Sequence, residues 1–189
     1  MQTQIVNRTP AIWEPRVSYF LPPIENVLPS RQLLLREVYQ KISGDELKEL
    51  TQELRNLEEK EKIRQFKATR LPYVTFSGTF RSRNAKALLE DSQLYVLDLD
   101  HLEDPEGAKK LLLQDKFFDT RLLFFSPSGK GIKWVIRQKD RFGLNRIVFY
   151  RALDTYLQRT YGLKIDLTGS DVARASFLCH DPECVYKGD

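Results

Sequence analysis

The 189-residue sequence predicts an α+β fold: a mixed sheet flanked by helices, behind an N-terminal helical arm. Three observations predict it. From Leu71 onward, short β-rich runs alternate with helical ones. Two of those runs flank a glycine loop as a hairpin would. Before Leu71, apolar residues recur mainly at helical spacing.

The elements follow in order. The first 30 residues carry five prolines and little periodicity, so they predict an extended arm. Its Trp13, Val17, Tyr19 and Phe20 predict that the arm lies on the body. Leu34, Leu35, Val38 and Ile42 share a helical stripe over 31–42, closed by "SG". "GDELKELTQELRNLEEKEKIRQFK" predicts a second helix with Asp45 as N-cap and Leu47, Leu50, Leu54 and Leu57 on one face. Its remaining faces, charged in both signs, predict a solvated helix packed by that stripe alone. The boundary between arm and body falls near residue 66, giving segments 1–66 and 67–189.

In the second segment the runs predict a strand at 73–76, a helix at 83–89, a strand at 94–97 and a helix at 105–113. Strands at 122–125 and 133–137 come next, then a long helix within 144–161. There Phe149, Leu153, Tyr156 and Leu157 share a face, and "YG" is its C-cap. Strands near Lys164 and Ser176 close the chain.

Hydrophobic residues at 41% and charged residues at 30% are ordinary for a globular protein, and a net charge of +4 leans mildly towards a polyanionic partner. Two cysteines make no disulfide framework and fit a reducing compartment. No run reaches about 18 apolar residues. The expectation is a soluble cytoplasmic protein with no membrane partner.

Chemistry concentrates in three stretches. In "YVLDLDHLED", strand alternation puts Asp98 and Asp100 on one face, about 7 Å apart. Like charges there raise each other's pKa, and a divalent cation such as Mg²⁺ relieves this. A solvated strand end carrying two acids is the plainer alternative. "FFSPSGKGIKWVI" lacks the spacing of a Walker loop and is followed by a strand, not a helix. Gly129 and Gly131 let backbone N–H groups turn inward as an anion nest, Ser126 and Ser128 add hydroxyls, and Lys130 and Lys133 add charge. A plain glycine hairpin with solvated lysines would look the same. In "LKIDLTGSDVARASFLCHDPE", Asp166 ends an apolar run, with Asp171 and Arg174 just beyond. A third carboxylate would complete a two-metal site and an arginine could clamp phosphate, but a surface turn with an Asp171–Arg174 ion pair also fits. Cys179, His180 and Cys184 supply only three zinc donors without a second pair, so buried cysteines account for them better.

The order acidic pair, glycine–lysine loop, lone aspartate resembles the archaeo-eukaryotic primase (primase-polymerase) superfamily. "LPYVTFSGTF", "VLDLDHL", "SPSGKGIK" and "SDVARASFLCHDPE" make the chain look like the VirE N-terminal-like domains of bacterial mobile-element proteins. The resemblance implies an RRM-like core and a DNA primase or polymerase activity, with nucleoside triphosphates and single-stranded or primed DNA as partners. A helicase or other domain would lie downstream.

Carried over by motif, Asp98, Asp100 and Asp166 bind catalytic Mg²⁺ or Mn²⁺, with Asp171 a rival for the third place. By the same resemblance Ser126, Ser128, Gly129, Lys130, Gly131, Lys133, Asp171 and Arg174 would hold the nucleotide, and Arg81 and Arg83 would touch nucleic acid. Lys133 stands where the superfamily usually has histidine. Lysine is a point-charge phosphate binder but not a neutral imidazole. Two metals about 3.5–4 Å apart would activate the 3′-hydroxyl and neutralise the leaving pyrophosphate. The Lys133 departure keeps open a catalytically idle relative that binds nucleotide or single-stranded DNA. A DxD-type nuclease would use the same metals but has no need of the glycine–lysine loop.

Overall fold

The computed structural model describes residues 13–138 and 145–188. Residues 1–12 of the expected arm, and Leu144 at the expected start of the long helix, lie outside them. The fold is α+β, and the described residues form two four-stranded sheets and one hairpin.

The described part of the arm, from residue 13 on, is more ordered than its prolines suggest. Strand β1 (Arg16–Phe20) pairs with β2 (Arg31–Leu34) on one side and β3 (Tyr73–Thr75) on the other. Val17, Tyr19 and Phe20 are buried, as their apolar character predicts, while the guanidinium of Arg137 lies 3.5 Å over the ring of Trp13. Two-residue β9 (Ser176–Phe177) completes this first sheet in the order β2-β1-β3-β9.

Helix α1 (Leu35–Ser43) starts where the Leu34 N–H donates to the Glu37 carboxylate at 2.7 Å, and it ends at Gly44. The single helix expected after it is broken into α2 (Lys48–Arg55) and α3 (Lys60–Arg70). The sequence gives the reason. The Leu47–Leu57 stripe would next reach Glu61 and Arg64, so nothing apolar holds a continuous rod against the body. Instead α3, which has no buried residue, is tied on by the Arg70–Glu53 ion pair and by the Ile24 N–H donating to Ala68 C=O at 2.7 Å.

The expected helix at 83–89 is a 3-10 turn (Ala85–Ala87) running into strand β5 (Leu88–Asp91), which forms a hairpin with β4 (Gly78–Phe80). Asn84 caps that turn by accepting from Lys86 N, and Ser92 ends the hairpin by donating to Phe76 C=O. Strands β6 (Leu94–Leu99), β7 (Asp119–Phe125), β8 (Ile132–Arg137) and β10 (Val185–Tyr186) form the second sheet in the order β10-β7-β8-β6. Helices α4 (Pro105–Gln114) and α5 (Arg146–Tyr161) pack on it.

Every strand pair among the described residues is antiparallel, not mixed as expected. The alternating strand–helix pattern behind that expectation comes from β6-α4-β7: these strands run the same way, but β8 is inserted between them. No strand forms near Lys164. There the chain runs to a 3-10 turn (Leu167–Ser170) capped by Asp166. No helix among the described residues is long and apolar enough to cross a membrane.

Strand alternation divides the core. Leu94, Val96, Leu122, Phe124 and Val135 face the first sheet and α1. Tyr95, Leu97, Leu123, Trp134 and Ile136 face α4 and α5. Asp98 and Lys133 share the parity of Val96 and Val135, so their side chains emerge at the end of the face that looks towards the first sheet.

Candidate functional site: a charged cleft between the sheets

A cleft of about 330 Å³ opens at that point. Four cations (Lys67, Arg83, Lys133 and Arg174) and three carboxylates (Asp98, Asp100 and Asp171) line it. Its hydroxyls come from Ser126 and Ser128.

Antiparallel register sets Asp98 directly opposite Lys133. Both are almost fully buried, and the ammonium forms an ion pair with the carboxylate. Asp100, one residue past β6, lines the same cleft but is exposed. Thus the same-face geometry expected for the two aspartates is present, with a lysine already bound to one of them.

The loop between β7 and β8 is closed by the Ser126 N–H donating to Gly131 C=O at 2.8 Å and the Gly129 N–H donating to Ser126 C=O at 2.8 Å. Gly129 takes φ +73°, a left-handed conformation that favours glycine. Gly131 is required by proximity: a Cβ there would lie 2.4 Å from the Leu99 carbonyl oxygen. Ser126 and Ser128 stand 3.3 Å apart on the cleft side. Gly129 instead backs onto the Arg55 guanidinium, and the exposed Lys130 points into a neighbouring bay. The expected Lys130–Lys133 pair is therefore split by the loop, because the two side chains leave it on different sides.

The third stretch corrects an expectation. Arg174 pairs with Asp166, at 2.9 Å, and not with Asp171. Asp166 also accepts from Thr168 N at 2.9 Å and Thr168 Oγ1 at 2.6 Å, so it is a capping residue whose carboxylate is committed. Burial alone would raise its pKa, but the Thr168 hydrogen bonds, Arg174 and Lys133 together hold it below the usual carboxylate range. Its N–H donates to Asp98 C=O at 2.8 Å, which fastens this turn beside β6. Asp171, accepting from Ala173 N at 3.0 Å, is the carboxylate of this stretch that lines the cleft.

Arg83 reaches the cleft with its guanidinium donating to Tyr73 Oη at 3.2 Å and Ile24 C=O at 2.9 Å. Arg81 is exposed and does not line it. Cys179 and His180 are not arranged as metal donors: the Cys179 thiol donates to Phe125 C=O at 3.2 Å, and His180 Nδ1 lies 2.8 Å from Gly44 C=O. Burial pushes the Cys179 thiol up to about 12 and raises that of Cys184 as well.

Lys67 is the cleft residue that sequence reasoning missed. It sits on α3, the helix expected to be solvated, and its ammonium has no hydrogen-bond or ion-pair partner among the described residues. Burial holds it below the ordinary lysine value; Asp100 and Asp98 pull it up and Lys133 pushes it further down. The available signal was the phase of Lys60, Ile63 and Lys67, which share one helical face.

In this arrangement two of the three expected metal ligands are already engaged by protein groups. Asp98 is held by Lys133 and Asp166 by Arg174 and Thr168. Among the described residues no group of three or more His, Cys, Asp or Glu side chains could hold a metal ion.

Residues 65–186 match the family model described as "BT4734-like, N-terminal domain". This chain belongs to that family. The BT4734-like region thus begins within α3, includes Lys67, and takes in the whole charged cleft except Ile24. No curated protein matches the chain in sequence. Among solved structures it is similar to the polymerase domain from Mycobacterium tuberculosis ligase D, determined in complex with DNA, with 13% identity and a TM-score of 0.33. That match covers 94% of this chain and 61% of the other, so the BT4734-like chain spans less than two thirds of its neighbour.

Proposed function

We propose that this chain is a nucleotide-binding domain of primase-polymerase type whose cleft grips phosphate with protein cations and hydroxyls. The observation that carries the reading is the convergence of Lys67, Lys133, Arg83 and Arg174 with Ser126 and Ser128 on one cleft, Lys67 having no partner of its own. An unpartnered, half-buried ammonium is costly to keep unless an anion visits it. The motif likeness to VirE N-terminal-like domains of mobile elements, with nucleoside triphosphates and DNA as partners, belongs to this reading.

The test is calorimetric titration of the 189-residue chain with a nucleoside triphosphate in EDTA and in Mg²⁺ or Mn²⁺. Binding that persists in EDTA is expected. Binding seen only with metal would overturn the phosphate-by-cation account.

One observation favours a second reading, a metal-dependent nucleotidyltransferase: Asp98, Asp100 and Asp171 line the same cleft. Mg²⁺ or Mn²⁺ on Asp98 and Asp100, with Asp171 or Asp166 as third carboxylate, requires Lys133 to release Asp98. Primer extension on a primed template, lost in Asp98→Ala, would establish this reading over the first.

A further inference from the structure

Behind the β7–β8 loop lies a buried ionic unit that takes no part in the cleft. Asp181 and Lys109 are 3% and 5% exposed, and neither lines the cleft. The Asp181 carboxylate accepts from the Phe125 N–H at 2.8 Å and from the Glu183 N–H at 3.0 Å. The Lys109 ammonium, on α4, lies 3.8 Å from that carboxylate and 3.8 Å from the exposed carboxylate of Glu183. It also donates to Glu183 C=O at 2.7 Å and sits 4.2 Å from the centre of the Phe125 ring.

Strand pairing explains why Phe125 needs such partners. Antiparallel β10 covers β7 only at Leu122 and Leu123. Phe125, the last residue of β7, therefore has no strand beside its outer edge. Asp181 takes its N–H instead, and the Cys179 thiol donates to its C=O at 3.2 Å. Two residues on, Arg55 Nε donates to Pro127 C=O at 3.2 Å. The loop is thus held from behind at three backbone atoms, while Ser126 and Ser128 face the cleft in front. The turn that carries Asp181 is itself anchored. Its N–H donates to Ile42 C=O at 2.8 Å, and the His180 N–H donates to Thr51 Oγ1 at 2.8 Å.

A buried ion pair is costly to desolvate, and an apolar pair of like volume would fill the same space. Apolar side chains, however, offer no acceptor to the Phe125 N–H, and an unpaired buried amide is expensive. What the charged pair adds is that one directional hydrogen bond, next in the chain to Ser126.

We propose that Asp181, charge-balanced by Lys109, is the positioning residue of the β7–β8 loop. By fixing Phe125 it sets where the Ser126 and Ser128 hydroxyls stand in the cleft. The use of those hydroxyls on phosphate rests on the proposed nucleotide-binding reading; the holding of the loop does not.

The test is a cycle of variants of the 189-residue chain, read by calorimetric titration with a nucleoside triphosphate in EDTA and by amide hydrogen exchange. One arm is Lys109→Met with Asp181→Ala, which strands no buried charge. The other is Ser126→Ala with Ser128→Ala. The first arm is expected to weaken triphosphate binding about fivefold, the worth of a misplaced hydroxyl hydrogen bond, and to add no further loss once both serines are gone. Exchange needs no nucleotide. The Ser126 and Gly129 amides, bonded within the loop, should exchange about tenfold faster in the first arm, with those of Tyr95 and Trp134 unchanged. Asp181→Asn keeps the size of the side chain and one acceptor oxygen, so it should fall between wild type and the first arm in both readings.

Loop amides that exchange at the wild-type rate in both the first arm and Asp181→Asn would overturn the assignment. So would an equal loss of affinity with and without the serines, because Asp181 would then act by another route. A wild-type chain that binds no triphosphate would overturn the nucleotide reading, while faster exchange confined to the loop would still support Asp181 as its holder.

Discussion

Lys133 on β8 stands directly across the sheet from Asp98 on β6, and the two close a buried ion pair at the floor of the cleft. The pair accounts for two features at once. It neutralises an acid that would otherwise be stranded under the first sheet, and it occupies with an ammonium the place where the motif pattern leads one to expect a metal. Removing one partner from a buried pair leaves an uncompensated charge, which costs far more than replacing both by apolar groups.

Lys133→Met is therefore expected to destabilise the chain by about 3 kcal/mol, and Asp98→Leu with Lys133→Met to recover most of that loss. Urea denaturation midpoints measure both. A double variant as unstable as the single one would show that the pair is not the coupled unit its burial implies. Nucleotide affinity should fall in both, because each lacks the Lys133 charge.

Lys67 gives a prediction in pH. Burial holds its free value below that of an ordinary lysine, and phosphate binding needs the protonated form. Affinity should be full below that depressed value and fall as pH rises through it, with proton uptake on binding within the window because bound phosphate raises the value again. In Lys67→Arg, which does not titrate, the alkaline loss should move to higher pH. Identical profiles in the two proteins, measured by titration between about pH 7 and 10.5, would exclude Lys67 from the phosphate site.

The glycine loop can be tested at one carbon. In Gly131→Ala the new methyl group would meet the Leu99 carbonyl oxygen at 2.4 Å and Asp100 Cα at 3.2 Å. Both obstacles are backbone, so the loop must move. A loss of about 1–3 kcal/mol is expected, together with weaker nucleotide binding as Ser126 and Ser128 shift. A thermal melt and a titration of the same sample give both values. Unchanged behaviour in both would show that the loop tolerates displacement.

Much of this was legible in the sequence, and the exceptions have physical causes. Alternation alone placed Asp98 and Asp100 on one face, since side-chain direction in a strand is fixed locally. The same rule placed Lys133 on a strand, but not opposite Asp98, because cross-strand register depends on partners far apart in the chain. Asp166 was expected at a strand end from the apolar "LKI". Its short side chain instead hydrogen-bonds the backbone two residues on, the tendency that makes aspartate a turn residue. Lys67 was hidden because a helix with charge on every side reads as solvated. Which of its charged faces meets a cleft is decided by where α3 docks, and that is set by contacts such as Arg70–Glu53 and Ile24–Ala68.

The two functional readings differ in sign at Asp100. Its carboxylate lines both the cleft and the bay beside it, is exposed, and accepts no hydrogen bond among the described residues, so Asp100→Asn changes charge with little effect on stability. If protein cations hold the phosphate, the carboxylate repels it, and its removal should tighten triphosphate binding in EDTA by up to about fivefold, the range of an exposed charge pair. If a divalent ion holds the phosphate, the same carboxylate is a ligand. Its removal should then weaken binding in Mg²⁺ or Mn²⁺ and abolish any primer extension. Titrating wild type and Asp100→Asn in both buffers separates the outcomes. Tighter binding in EDTA with no metal-dependent loss is expected here, since Lys133 already neutralises Asp98. Weaker binding confined to the metal buffer would transfer the site to the nucleotidyltransferase reading.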